Sequence, residues 1–158
     1  RLSRVTSFLN PEADPLGKGH QALQSLIALG NGGWKGVGVG QSMQKLNYLP
    51  EAHTDFIFAV IGEEAGLIGT MLVVLLFFGI LWRGFRLARR LKDSFLRLCC
   101  IGFTLLLTVQ AMMNMSVVLS LVPNKGIPLP FISYGGTSLM ASLVVLGLLL
   151  AISKEASA

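Results

Sequence analysis

Three long apolar runs constrain this chain most, because a water-soluble domain rarely contains even one of them. They cover residues 56–82, 96–122 and 127–152, and each reaches about 25 residues, where about 20 suffice to cross a bilayer. Backbone groups in lipid must be satisfied within the segment, so the runs predict helices rather than strands. Only 13% of the residues are charged, against about one quarter in ordinary soluble domains. The predicted fold class is therefore an all-α integral membrane protein.

The segments between these runs complete the predicted organisation. Residues 21–29 alternate apolar and polar side chains at helical spacing, which predicts a short amphipathic helix along the membrane interface. The chain then divides into an extracytoplasmic loop (1–55), a transmembrane helix (56–82), a basic cytoplasmic connector (83–97), a second transmembrane helix (98–122), an extracytoplasmic re-entrant turn (123–135), a third transmembrane helix (136–153) and a cytoplasmic tail (154–158).

The connector between the first two spans sets the predicted orientation. It carries a single acid, Asp93, and six basic residues: Arg83, Arg86, Arg89, Arg90, Lys92 and Arg97. The positive-inside rule places such a connector in the cytoplasm, so the loop before the first span faces outward. A net charge of +5 would suggest nucleic-acid binding in a soluble protein. Here the location of the charges outweighs their sum, and no nucleic-acid partner is predicted.

Asp55 is the principal candidate for chemistry, at the start of the first predicted span. An acid there has a structural explanation, because the helix dipole favours negative charge at a helix N-terminus. The functional alternative is a general base at the mouth of an outward-facing cavity, with Glu51 and His53 nearby as substrate-binding candidates. Local sequence alone leaves both interpretations open.

Other polar residues lie inside the predicted spans. Placing the carboxylates of Glu63 and Glu64 in a membrane costs free energy, so such groups usually face the interior of a helix bundle. Adjacent helical positions point about 100° apart, so only one of the two can face a polar cavity. Gln110 and Asn114 lie one turn apart on one helix face, which predicts helix-to-helix hydrogen bonding. Cys99 and Cys100 are adjacent and apolar in context, and no metal site is predicted.

The segment 123–138 contains three prolines and three glycines at a membrane edge. Such a segment predicts a re-entrant or broken helix start, which is tolerated only where it is buried or lines a cavity. The candidates for substrate binding in it are Lys125, Ser133 and Tyr134, and those for shaping the cavity are Pro128, Pro130, Gly135 and Gly136. Residue types alone do not separate chemistry from transport at this outward-facing site.

A glycine-rich stretch at 30–40 precedes the first span. It resembles a phosphate-binding loop, but no Gly-Lys-Ser/Thr follows at the required spacing. The favoured interpretation is a turn that allows close approach of two backbones.

Three blocks of sequence carry a resemblance over nearly the whole chain. The first block is FLNP at 8–11 with DPLG at 14–17, QSLIALG at 24–30 and the glycine pair at 32–33. The second is LPE at 49–51 with HTDFIFA at 53–59, Glu63 and Glu64. The third is Asn114, Pro123 and Gly126 with PLP at 128–130 and SYGG at 133–136. In these blocks the chain resembles the FtsW/RodA/SpoVE family, also called SEDS proteins. Residues 40–46 are more similar to the division-type FtsW branch than to the RodA branch. His20, Ser120 and Asn124 depart from the residues usual at these positions.

The resemblance implies a function for the parent protein in the bacterial plasma membrane. Family members have ten transmembrane helices, so this chain corresponds to the last outer loop and the final three, and the start at Arg1 without Met agrees with a missing upstream part. The family polymerises lipid II into glycan strands on the extracytoplasmic face, here for septal wall synthesis. Asp55 would be the essential base in an inverting transfer, and the fragment alone would be inactive.

The implied partners are lipid II, the growing glycan strand, a class B penicillin-binding protein and other division membrane proteins in the lipid bilayer. Whether a divalent cation assists is left open. Two alternatives to a polymerase remain: a flippase for the lipid-linked precursor, and a non-enzymatic scaffold of the division machinery.

Overall fold

The computed structural model describes residues 18–38, 40–41, 55–123 and 126–156. Within these ranges the chain is helical, without a strand. The helices are α1 (Lys18–Gly32), α2 (Ile57–Ala88), α3 (Ser94–Val118) and α4 (Gly136–Glu155). The last three are each long and apolar enough to cross a membrane, which confirms the predicted all-α fold with three apolar helices.

The ends of the helices differ from the predicted bounds. α2 continues beyond residue 82 to Ala88 and α3 already begins at Ser94, so only residues 89–93 of the predicted connector 83–97 lie outside a helix. Arginine is a good helix former, so a basic segment does not by itself end a helix. The start of α3 is instead set by Asp93, whose carboxylate accepts a hydrogen bond from the Phe95 amide at 2.9 Å.

α3 lies between α2 and α4, and α1 packs across the first part of α2 and the last part of α3. Ser25 fixes the position of α1, because its buried hydroxyl donates to the carbonyl of Val118 at 3.0 Å. Val118 is the last residue of α3, where carbonyls have no partner within the helix. The contact therefore joins α1 to the end of α3 that faces the site described below.

Two apolar clusters hold the bundle together at its opposite ends. The first joins Ala28 of α1 to Phe58 of α2 and to Met115 of α3. The second contains Ala88, Cys100 and Leu149 from the other ends of α2, α3 and α4. Many large apolar side chains between the clusters point outward, as expected of helices that face lipid or neighbouring helices: Leu72, Leu75, Phe78, Met140 and Val144 are examples.

Candidate functional site

Asp55 lies in a turn two residues before α2, half-buried at one end of the bundle. Its carboxylate faces Gly126, in the connection between α3 and α4. A Cβ atom on Gly126 would lie 2.9 Å from the Oδ2 atom of Asp55. Gly126 also has φ of +58°, a conformation that L side chains rarely adopt. The site therefore needs a residue without a side chain opposite the carboxylate.

Asn114 ties Asp55 to this connection. Its side chain is only 1% exposed, and its Nδ2 atom donates to the carbonyl of Asp55 at 2.8 Å and to that of Ile127 at 2.7 Å. One turn earlier, Gln110 donates to the carbonyl of Pro128 at 3.0 Å. The sequence predicts helix-to-helix bonding for this pair, and the structure differs. Irregular backbone has carbonyls without helical partners, and these two amides satisfy them.

The Oδ1 atom of Asn114 is buried, and no residue that the structure describes donates to it. A buried acceptor in a native protein almost always has a donor. A donor from outside the described residues would complete its hydrogen bonding. The atom lies on the same side chain that holds Asp55, so a donor bound there would contact the site.

Ser133 and Tyr134, both predicted to contact substrate, occupy different environments. The Ser133 hydroxyl is buried and accepts a hydrogen bond from the Leu129 amide at 2.7 Å, while the Ser133 amide donates to the Leu129 carbonyl at 3.0 Å. Ser133 therefore closes the turn that precedes α4. Tyr134 is 83% exposed, so its phenol is accessible to a ligand.

The residues predicted to shape the cavity form the connection itself. Pro130 is buried, and the carbonyl of Pro128 is the acceptor for Gln110. Gly135 precedes α4 in an extended conformation, and a Cβ atom there would lie 2.8 Å from the Oγ atom of Ser138. Gly136 begins α4 with no close neighbour among the described residues. The connection is thus held by α3 at Pro128 and by α4 at Gly135, with Pro130 buried between them in sequence.

α2 is broken at Gly66, a feature that the apolar pattern does not predict. Gly66 has φ of +66° and ψ of −159°, outside the helical region. The glycine-rich loop, residues 33–38, lies against the break and replaces the missing helical bonds. Its four backbone hydrogen bonds, donor first, are Val37 to Glu63 (3.0 Å), Gly38 to Glu64 (3.1 Å), Leu67 to Gly33 (2.9 Å) and Ile68 to Trp34 (3.4 Å).

These bonds satisfy four of the backbone groups that the break releases. In a continuous helix the amides of Leu67 and Ile68 would donate to the carbonyls of Glu63 and Glu64. All four groups bond to the loop instead, so none is left unsatisfied in an apolar setting. Residues 67–88 alone extend about 33 Å, enough to cross a hydrocarbon core of about 30 Å.

The close approach depends on glycines on both sides of the contact. A Cβ atom on Gly36 would collide with the carbonyl group of Glu64, and one on Gly66 with the backbone of Gly36 and Trp34. Gly32 similarly lies against the carbonyl of Gly62. The interpretation of the stretch 30–40 as a close backbone approach is confirmed.

Glu63 and Glu64 lie at this break rather than beside Asp55. The Glu63 side chain is 2% exposed and that of Glu64 is half-buried. Their carbonyls hold the glycine-rich loop, which gives this pair of residues a structural role through the backbone. Glu51, His53 and Lys125 lie outside the described residues. In the described ranges no three His, Cys, Asp or Glu side chains gather as metal ligands would.

A family model described as "Cell cycle protein", for FtsW, RodA and SpoVE, matches residues 1–158. The chain belongs to the FtsW/RodA/SpoVE family.

Curated members of the FtsW/RodA/SpoVE family are similar to the chain over almost its whole length. The "Probable peptidoglycan glycosyltransferase FtsW" of Trichlorobacter lovleyi is 51% identical over 97% of this chain. "Stage V sporulation protein E" of Bacillus subtilis is 50% identical over 98% of it. The chain spans 40% of the first relative and 42% of the second. Near-equal identity does not separate a division protein from a sporulation protein.

A solved structure extends the comparison to three dimensions. It is described as "Structural coordination of polymerization and crosslinking by a peptidoglycan synthase complex". The match has a TM-score of 0.78 at 32% identity, and it covers 98% of this chain and 41% of that one. The solved structure therefore shares the fold of this chain over nearly its whole length.

Proposed function

We propose that the full-length protein polymerises lipid II into peptidoglycan strands and that Asp55 is its general base. The observation that carries the proposal is the placement of the Asp55 carboxylate. It is half-buried at one end of the bundle, faces a glycine, and its backbone is fixed by the buried Asn114 amide. A base that is fixed in position removes a proton without the cost of first ordering its side chain.

The proposed reaction is a single displacement. Asp55 accepts the proton of a sugar hydroxyl on the acceptor, and the hydroxyl oxygen forms a bond to the anomeric carbon of the donor. The bond from that carbon to the pyrophosphate oxygen breaks, and undecaprenyl pyrophosphate leaves with the electron pair. Attack opposite to the leaving group inverts the anomeric centre. The exposed Tyr134 lies in the connection that faces Asp55 and is proposed to contact the sugars.

The proposed orientation places the Asp55 end outside the cell. Arg83, Arg86, Arg89 and Arg90 lie at or beyond the opposite end of α2, as the positive-inside rule requires of a cytoplasmic end. The likeness to a peptidoglycan synthase complex supports a second synthase component as partner, and we assign that role to a class B penicillin-binding protein.

The test uses the full-length protein with its penicillin-binding partner and labelled lipid II, and follows the length of the glycan product. We expect Asp55→Asn and Asp55→Ala to lower the rate of polymerisation by about 10²–10⁴-fold, the usual contribution of a general base. Asp93→Asn is the matched control at the other end of α2, since asparagine also serves as a helix N-cap. Polymer at the wild-type rate from Asp55→Asn would refute the role of base and favour a transporter.

A further inference from the structure

The end of the bundle opposite Asp55 carries two cavities that share a wall. The first has a volume of about 410 Å³ and is lined by Arg83, Arg86 and Arg90 with Leu87, Leu150 and Ser153. The second has a volume of about 520 Å³ and also touches Arg83, Leu87, Leu150 and Ser153. The two cavities are therefore adjacent parts of a groove between α2 and α4.

The second part of the groove is apolar and extends toward the middle of the spans. Its walls include Leu75, Leu76 and Gly79 of α2 and Leu146 of α4. From Leu75 to Leu87 the groove follows α2 for about 18 Å, roughly half of a bilayer core. Thr104 of α3 lies at its floor, where Gly84 allows α2 and α3 to approach closely.

The three arginines are exposed and available to a ligand. The acids at this end, Asp93 and Glu155, line a third cavity, which also touches Arg90 but neither Arg83 nor Arg86. Among the described residues no ion pair joins either acid to the three arginines. Arg86 lies over the ring of Trp82, 5.6 Å from its centroid, and Trp82 is itself half-exposed on the groove wall. Tryptophan prefers the headgroup level of a membrane, so this contact marks the level of the arginines.

The groove thus combines a cationic end at the membrane surface with an apolar slot in the hydrocarbon layer. A soluble phosphate would fill the first part but would leave the leucines of the second part uncovered. An apolar helix would fill the second part and leave guanidinium groups without anions. An anionic phospholipid satisfies both parts, because its phosphate pairs with arginine in bidentate geometry and its acyl chain lies along the leucines.

We propose that the groove between α2 and α4 binds an anionic phospholipid, such as phosphatidylglycerol, from the leaflet opposite to the Asp55 site. The cavity arginines Arg83, Arg86 and Arg90 bind the phosphate, and Trp82 orients Arg86 through its ring. The leucines of α2 and α4 hold an acyl chain. The proposal depends on the membrane-spanning helices alone and stands apart from the polymerase function.

Native mass spectrometry of the full-length protein in detergent, titrated with phosphatidylglycerol, tests the proposal. The variant Arg83→Gln/Arg86→Gln/Arg90→Gln removes the cavity charges. Arg89→Gln/Lys92→Gln/Arg97→Gln removes the same charge from the same end without changing that cavity. We expect the cavity variant to lose at least about tenfold more affinity for the lipid than the control. Equal losses would overturn the proposal, since they would indicate attraction by surface charge alone.

A second pair of variants tests the apolar slot without altering charge. Gly79 lines the slot, and a Cβ atom there meets nothing within 4 Å, so Gly79→Leu extends a side chain into the slot from an open position. Gly147→Leu adds the same side chain to an open position of α4 outside the groove. We expect only Gly79→Leu to weaken phosphatidylglycerol binding. Unchanged binding in both would overturn the proposal and indicate a slot that is filled by another part of the full-length chain. Equal affinity for phosphatidylcholine would overturn it as well.

Discussion

The two ends of α2 differ in the kind of contact that each one makes. In the half of α2 that begins at the Asp55 end, backbone groups make the decisive contacts. Asn114 holds the carbonyls of Asp55 and Ile127, and further along the helix the glycine-rich loop bonds across the break at Gly66. Near Arg83, long side chains line an open groove. The first arrangement fixes positions closely, as a reacting group requires, whereas the second presents charge and apolar surface that a mobile lipid can fit.

The contact between the glycine-rich loop and α2 gives the largest expected effect on stability. Gly36→Ala adds a collision with the Glu64 carbonyl to the strain of φ at +79°. We expect the free energy of unfolding of the full-length protein to fall by about 2–5 kcal/mol. Gly40→Ala is the control, because Gly40 has φ of +83° but open space around a Cβ atom, and it should lose about 1–2 kcal/mol. Equal losses would show that the loop does not press against α2.

Substitution of Asn114 should have the next largest effect on stability, because its removal leaves two carbonyls without their donor. We expect Asn114→Ala to cost about 1–3 kcal/mol of stability and to lower the rate of polymerisation at saturating lipid II, since Asp55 would lose its fixed position. Gln110→Ala removes one bond, from the Pro128 carbonyl, and should affect the rate less. A larger loss of rate in Gln110→Ala than in Asn114→Ala would contradict the positioning role.

The smallest effect on stability is expected at the Arg83 end of α2, where side chains can move to accommodate a substitution. Gly84→Ala places a methyl group against the Thr104 side chain, but alanine also favours the helix, so a net loss of about 1 kcal/mol is expected. The double variant Gly84→Ala/Thr104→Ala should regain part of the stability that Gly84→Ala loses. Polymerisation should continue near the wild-type rate, and a loss as large as that of Asn114→Ala would remove the distinction between the two ends.

The sequence predicted the features that depend on composition and on the family's motifs. Three apolar runs were enough for three helices, and the motif blocks were enough for the family. The sequence predicted the ends of the helices less well. Arg83 and Arg86 were expected to begin a connector, yet they lie within α2, which continues to Ala88, because the long side chain of arginine can reach away from an apolar helix end.

The break in α2 and the partner of Asn114 were not predicted, because each depends on backbone groups distant in sequence. Gly66 lies in an apolar run with Gly62 and Gly69, and glycine is common in membrane helices, so the run alone gives no sign of a break. The sequence hinted at the break through the glycine-rich stretch 30–40 alone. This stretch predicted a close approach of two backbones but did not identify α2 as the second segment. Likewise, Asp55 and the connection after α3 were assigned to one site, but the bridge that Asn114 forms between them was not.

The measurement that tests the central claim most directly compares lipid II binding with turnover for Asp55→Asn in the full-length protein and its partner. If Asp55 removes the acceptor proton, the affinity for lipid II should stay within about threefold while kcat falls by about 10²–10⁴-fold. A variant that binds lipid II weakly but turns over at the wild-type rate would contradict the account, because Asp55 would then hold the substrate and not act on it.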